Sequence, residues 1–461
     1  MDHSLECITI KPTSGHRLND ITAEEIGELN GPKNNLFRSC SLAALNAGNK
    51  NGIAHVEREH KKFGIKLHRD DKGVHILLDH PPRSAIKVLR GKHQVMGIFV
   101  DHLRSIAGDL LAHPKLFHST QPKDITDGIR GLLQNNDILE GTQLNGYTLT
   151  RLTCQGGQCI SDQEYYHYKE VGREAGFQGY EIITGGGNGS MRAPFSGAAA
   201  GHRAQCIENA KMIGLTCPDI IANEPPNDAV RPVITFPDME KRLEAFVRMA
   251  MGTVIGPGGV GTIEEILYLM AILLDPRNKE HATAIVLSGP EHQFFDLLGS
   301  FIRESLGEEV WNVFRSKVTI VVNDPQKSVD ELTHAIDSPK GVREFRSAMG
   351  MSELWDELIT IHPDLQIPFV PSHESVAVLR LNRNQSPQQL IIELRKAISA
   401  IVWATVTEKG NAAVRNEPLR IHGEQRITRA LEHLLASFTA QKRWNLRDPE
   451  KALHAYQFVH K

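Results

Sequence analysis

Two adjacent glutamates behind a glycine turn are the residues best placed to do chemistry: Gly256-Pro257-Gly258-Gly259-Val260-Gly261-Thr262-Ile263-Glu264-Glu265. A mostly apolar run, 252–255, leads into the turn, and an almost wholly apolar stretch, 266–274, leads out, so the pattern is strand, glycine turn, helix. Glycines let the backbone approach a ligand closely. The N–H groups at the start of the helix face an anion there, and the helix dipole helps to hold it. A phosphate cradle with an acid beside it points to chemistry on a phosphorylated small molecule. Cleavage of a glycosidic bond fits that pairing, because a carboxylate stabilises the oxocarbenium-like transition state or activates a water for it. Either glutamate meets that requirement. A first-turn carboxylate is also stabilised by the dipole whatever the protein does.

Two further glycine turns follow candidate strands. Thr184-Gly185-Gly186-Gly187-Asn188-Gly189-Ser190-Met191 follows the strand pattern at 180–184, and Gly156-Gly157 follows the one at 149–154. Each alone serves tight geometry as readily as a ligand. Together, at the strand ends of one α/β unit, they converge on one crevice and favour a nucleotide or sugar-phosphate site. The helix pattern at 238–251 has an apolar face of Met239, Leu243, Phe246, Val247 and Ala250, with Lys241, Glu244 and Arg248 pointing away. Arg242 lies at the edge of that face. It reads either as a stem covering apolar surface or as a guanidinium aimed at a phosphate or carboxylate.

The elements that must position these groups are short apolar strands near 149–154, 180–184, 212–216, 233–236, 253–255, 284–287 and 318–322, alternating with helices such as 162–175, 238–251 and 263–274. Repeated βα units predict an α/β fold with a doubly wound, Rossmann-like parallel sheet over 148–336. Before it, residues 1–147 mix helix patterns, the clearest at 95–111, with polar turn-rich breaks. After it, residues 337–461 carry a proline-punctuated segment at 363–371 and helix patterns at 387–402 and 423–441. Three regions suit a chain of 461 residues at about 150 per domain. Fifty-two basic residues against 55 acidic ones give no case for a nucleic-acid or membrane-surface partner. No apolar run reaches transmembrane length, and the first residues lack the pattern of a secretory signal. Six cysteines without a CxxC pair, and histidines without HExxH or HxH spacing, predict reduced thiols, no metal site and a cytoplasmic protein.

The segment Pro257–Glu265 resembles the PGGxGTxxE signature of the LOG-like phosphoribohydrolases, long mislabelled lysine decarboxylases, and Gly185–Met191 resembles their GGGxGxM nucleotide loop. Leu36-Phe37-Arg38-Ser39-Cys40-Ser41-Leu42, Ile221-Ala222-Asn223-Glu224-Pro225-Pro226-Asn227, and 363–371 with Ser372-His373-Glu374 resemble the long bacterial subfamily. That subfamily comprises the pyrimidine/purine nucleotide 5′-monophosphate nucleosidases, in which smaller N- and C-terminal α+β or α domains flank a LOG-like core. The resemblance implies hydrolysis of the N-glycosidic bond of AMP, GMP, IMP, CMP or UMP to free base and ribose 5-phosphate. It implies catalytic roles for Glu265, which closes the motif, and for Arg242, fifteen positions before the motif proline. It assigns phosphate and nucleotide binding to Gly258, Gly259, Gly261, Thr262, Gly186, Gly187, Gly189, Met191, Gly157 and Glu264. It further implies no cofactor, a homo-oligomer built as a dimer of dimers, and an allosteric nucleotide such as guanosine tetraphosphate; the end domains, large and without evident chemistry, are expected to gate the crevice. Arg192 departs from the family pattern, which has glutamate after the methionine. The competing expectations are a non-catalytic nucleotide sensor, against which both motif glutamates count, and a phosphoribosyl transfer enzyme, which needs an acceptor other than water.

Overall fold

The structure is a computed structural model that describes residues 7–12, 17–45, 58–82, 94–112, 116, 119–139, 142–144, 147–221, 226–279, 284–337, 359–444, 446, 452 and 454–460. They fall into two compact units, Met1–Glu140 with Ile183–Asn188 and Lys211–Ala245, and Gly141–Ile182 with Gly189–Ala210 and Phe246–Lys461.

The first unit opens with strand β1 (Cys7–Ile10), helices α1 (Ala23–Asn30) and α2 (Asn34–Leu45), strands β2 (Gly64–Asp70) and β3 (Gly73–Asp79), and helices α3 (Gln94–Leu111) and α4 (Pro122–Asn135). The strands form an antiparallel sheet in the order β1-β3-β2. Asp70 Oδ1 accepts from Lys72 N at 2.8 Å, which closes the hairpin. Ile65, Leu67, Val74, Ile76 and Leu78 bury one face against Phe37, Leu42 and Leu103. The edge strand β2 is covered by Asn30, whose amide donates to Leu67 O and accepts from Leu67 N, both at 2.8 Å. Arg38, from the N-terminal segment that resembles the long subfamily, donates to Phe63 O at 2.8 Å and His60 O at 3.0 Å. Its role in the fold is to hold the chain entering β2.

The chain then supplies β4 (Arg151–Gln155), α5 (Asp162–Phe177), β5 (Glu181–Thr184), α6 (Arg192–Ala204), β6 (Met212–Thr216), β7 (Val233–Thr235), α7 (Met239–Met249), β8 (Gly252–Ile255), α8 (Val260–Leu273), β9 (Ala284–Gly289), α9 (Gln293–Ser305), α10 (Glu308–Lys317), β10 (Thr319–Val322) and α11 (Pro325–Ile336). All seven expected strands are present, in one sheet of order β10-β9-β8-β4-β5-β6-β7. The registers of β4 with β8, β8 with β9, β9 with β10 and β6 with β7 are parallel. The order reverses between β4 and β8. In a doubly wound sheet this is the switch point, where a crevice opens at the carboxyl ends of the strands. Helices α5 and α6 press together through glycines: a Cβ on Gly172 would lie 2.2 Å from Pro194 O, and one on Gly197 1.8 Å from Lys169 O.

Within the second unit, α12 (Pro387–Val406), β11 (Leu419–Gly423), α13 (Gln425–Ala440) and β12 (Tyr456–His460) complete the chain. Helix α8 packs on α12 and α9 on α13. A helix apolar all round must be covered all round. Every residue of α8 except Gly261 and Glu265 is buried.

Two buried histidines give the fold a pH dependence. His102 on α3 lies 3.2 Å from Val230 O, and burial lowers its pKa from 6.5 to about 4. His167 on α5 lies 2.8 Å from Ser288 Oγ, and burial, against the opposing charge of Asp324, also brings it to about 4. Both are neutral when folded and take up protons more readily when unfolded. Their contribution is therefore fully present above 6.5 and is lost as pH falls towards about 4. Melting temperatures measured between those pH values should decline, less steeply in a His167→Gln variant. Equal slopes in the two proteins would count against this account.

Candidate functional site

Strands β4 and β8 end side by side, with Gln155 opposite Ile255. Gly256 N donates to Gln155 O at 2.8 Å, Gly157 N to Pro257 O at 3.2 Å, and Ser190 N to Gly157 O at 3.0 Å. These bonds knit the loops after β4 and β8 to the turn at Gly189–Met191. The contact needs glycine. A Cβ on Gly157 would lie 2.6 Å from Gly258 Cα, and Gly189, at φ +64°, would carry one 2.3 Å from Gln158 O. The second unit thus brings Gly157, Gly189, Met191, Gly258, Gly259, Gly261 and Thr262 to one place. Helix α8 begins there with Gly259 as its N-cap, which supplies no side-chain cap to the first-turn N–H groups. That is the arrangement an anion takes up.

The two motif glutamates part company on α8. Glu264 is buried towards α12, its Oε1 3.4 Å from Arg395 Nη2, and the Arg395 guanidinium lies 5.6 Å from the centre of the Tyr268 ring. Glu265 is half-buried. Its charge reaches Tyr168, whose hydroxyl is held well above its ordinary pKa by burial first, then by Cys154 and Glu265. The single proton of neutral Tyr168 is shared between Gln155 O at 2.7 Å and Val254 O at 2.8 Å, pinning the ends of β4 and β8 together. Of the two carboxylates, Glu265 is the one with access to solvent.

Arg443, just after α13, was not anticipated from sequence. Its carbonyl sits where a Cβ on Gly259 would come within 2.0 Å. Its guanidinium pairs with Glu164 at 2.5 Å and lies 5.8 Å from the centre of the Phe294 ring. Glu164 in turn closes the capping box with Ser161 that starts α5. Residues late in the chain therefore buttress both glycine loops.

The first unit holds the remaining expected site residues, Gly186, Gly187 and Arg242. Asn227 clamps the glycine turn: its Nδ2 donates to Gly186 O at 2.8 Å and Gly187 O at 2.6 Å, and its Oδ1 accepts from Ala229 N at 3.0 Å. The signal for it was the segment ending Pro226-Asn227, of which residues 222–225 lie outside the described residues. Arg242 is buried, with Nε donating to Leu215 O at 2.8 Å and Nη1 3.2 Å from Met239 Sδ. Lys241 and Glu244, expected to point away from the apolar face of α7, are buried as well. Lys241 pairs with Asp238 at 2.5 Å, and Glu244 accepts from Thr126 Oγ1 at 2.6 Å. Burial is tolerated because each polar head has a partner. Arg192 is exposed at the first position of α6. Among the described residues, no cluster of three or more His, Cys, Asp or Glu could hold a metal ion, and no helix is long and apolar enough to cross a membrane.

Three family models match the chain: "Pyrimidine/purine nucleotide 5'-monophosphate nucleosidases" over 8–112, "Possible lysine decarboxylase" over 191–332, and "Pyrimidine/purine nucleotide monophosphate nucleosidase, C-terminal" over 340–459. The curated pyrimidine/purine nucleotide 5'-monophosphate nucleosidase of Escherichia coli (strain K12) is 35% identical over 421 residues, covering 89% of this chain and 90% of that protein. The protein of the same name from Escherichia coli O157:H7 matches to the same extent. Among solved structures, the molybdenum cofactor binding protein of Rippkaea orientalis aligns with 41% of this chain and 97% of its own at 18% identity and a TM-score of 0.30. The Moco Carrier Protein of Chlamydomonas reinhardtii aligns with 41% of this chain and 98% of its own at 16% identity and the same TM-score.

Proposed function

The chain belongs to the pyrimidine/purine nucleotide 5'-monophosphate nucleosidase family, and from that premise we propose that it hydrolyses the N-glycosidic bond of nucleoside 5′-monophosphates to free base and ribose 5-phosphate. The observation that carries the reading is the uncapped start of α8 at the switch point, with the half-exposed carboxylate of Glu265 one turn away. The 5′-phosphate binds the backbone N–H groups of Gly258, Gly259 and Gly261 and the hydroxyl of Thr262. Glu265 stabilises the ribosyl cation and takes a proton from water as its oxygen bonds to C1′. The C1′–N bond breaks, its electron pair leaves with the base nitrogen, and the proton that Glu265 took from water ends on that nitrogen, which regenerates the carboxylate. Arg242 is the second catalytic group, supported by its motif spacing and its fixed, buried guanidinium. Gly186, Gly187, Gly189, Met191 and Gly157 shape the nucleotide loops. Glu264 serves them indirectly, by anchoring α8 on Arg395.

The chain is built from three modules, 1–147, 148–336 and 337–461, a division supported by the three family matches. It works as a homo-oligomer, a dimer of dimers, in the cytoplasm, and its end modules answer to an allosteric nucleotide such as guanosine tetraphosphate. The test of the central reading is incubation with AMP, GMP, IMP, CMP and UMP in turn, assaying base and ribose 5-phosphate. Equimolar release of the two is expected from at least one substrate. Binding without release would favour the sensor, and release only with an added acceptor base would favour the transferase.

A further inference from the structure

At the switch point the side-chain oxygen of Gln155 has no hydrogen-bond partner among the described residues. Gln155 is the last residue of β4 and is 4% exposed. A buried amide left in that state costs on the order of 1–3 kcal/mol. Alternation along the strand puts Cys154 on the face of Tyr168 and α5, so Gln155 projects to the opposite face. The connection from β8 through α8 to β9 runs across the sheet in the direction opposite to that from β4 through α5 to β5. Right-handed crossovers therefore put α8 on that opposite face. Gln155 thus carries a desolvated amide on the side of the sheet that bears Glu265, directly beside the turn that opens α8.

We propose that Gln155 is a substrate-contacting residue that hydrogen-bonds a ribose hydroxyl of the nucleotide; this rests on the nucleosidase reading. In a nucleoside 5′-monophosphate a single methylene carbon separates the phosphate oxygen from the sugar ring. A group adjoining the phosphate turn therefore meets the sugar and not the base. A ribose hydroxyl both donates and accepts, so it satisfies the amide in either orientation.

The test compares wild type with Gln155→Leu on AMP, using 2′-deoxy-AMP and 3′-deoxy-AMP as competitive inhibitors, and records the melting temperature of each protein. The expected result is a loss of about 10- to 100-fold in kcat/KM for AMP without a lower melting temperature, because leucine removes an unpaired polar group. In wild type one deoxy analogue should bind more weakly than AMP by a similar factor. In the variant that analogue and AMP should bind within about threefold of each other, as expected when the two changes remove the same bond. Parallel loss for AMP and both analogues, or a variant as active as wild type, would overturn the assignment of Gln155 alone. Absence of AMP turnover in wild type, where another monophosphate is hydrolysed, moves the same comparison to that substrate. Absence with every monophosphate overturns both readings.

Discussion

Glu265→Gln should lower kcat by on the order of 1,000-fold while leaving the affinity for nucleoside monophosphates within about threefold, whereas Glu264→Gln should lower stability and leave kcat nearly unchanged. A carboxylate that handles the proton of the attacking water contributes typically 10²–10⁴-fold. The amide keeps its shape and hydrogen-bonding reach but neither its charge nor its basicity, so binding survives and chemistry does not. Glu264 faces Arg395 across the α8–α12 contact, with side-chain exposures of 6% and 1%. Removing one charge from such a pair leaves the other buried, at a cost of about 3 kcal/mol. The Glu264 variant should therefore melt several degrees lower yet retain most of its kcat where it is folded. Steady-state kinetics with melting curves on the two proteins separate the roles. If Glu264→Gln lost turnover at full stability, the two assignments would have to be exchanged.

Gly259→Ala should raise KM for the nucleotide by about 100-fold, whereas Gly261→Ala should cost at most about threefold. Gly259 has φ −114°, which any residue adopts, so the effect is one of space and not backbone strain. An added Cβ would stand 2.0 Å from the carbonyl oxygen of Arg443, and neither backbone can yield without moving the N–H groups of the α8 start. At Gly261 nothing lies within 4 Å of the added atom, and alanine keeps the backbone N–H that meets phosphate. There the substitution should raise stability by about 0.5–1 kcal/mol, the usual gain for alanine over glycine in a helix. Titration of inorganic phosphate into both variants by calorimetry reads the anion site without catalysis. Similar affinities in the two proteins would show that Arg443 leaves room for the change.

The seven-stranded sheet was legible because its strands are short, mostly apolar runs followed by a helix or a glycine turn, and all but the edge strand β10 are buried on both faces. The β2–β3 hairpin is harder to read from the sequence. Its charged and apolar residues alternate, and the apolar ones read as helix fragments among polar loops. The turn Asp70-Asp71-Lys72-Gly73 between Ile65, Leu67 and Val74, Ile76, Leu78 was the available signal. Lys241 and Glu244 fall off the apolar face of α7 by helical position, which says nothing about a partner such as Thr126. The glycine loops of the candidate site were visible as motifs. Gln155 and Arg443 were not, since what sets them apart is proximity to the α8 turn, a product of topology and not of local pattern.

The seat of Arg443 on Gly259 has a consequence for the order of events during synthesis. Chains emerge from the ribosome at about 5–20 residues per second, and earlier segments fold first. The glycine turn of β8 leaves long before the residue that buttresses it, and α8 leaves before the α12 that covers it. A nascent chain that has already formed its parallel sheet would still lack the backing of its anion turn. Partial translation products would then be poor catalysts, and the capacity to consume nucleotides would appear only as the last segments dock. A stalled or prematurely released chain could not drain the nucleotide pool on which its own translation depends.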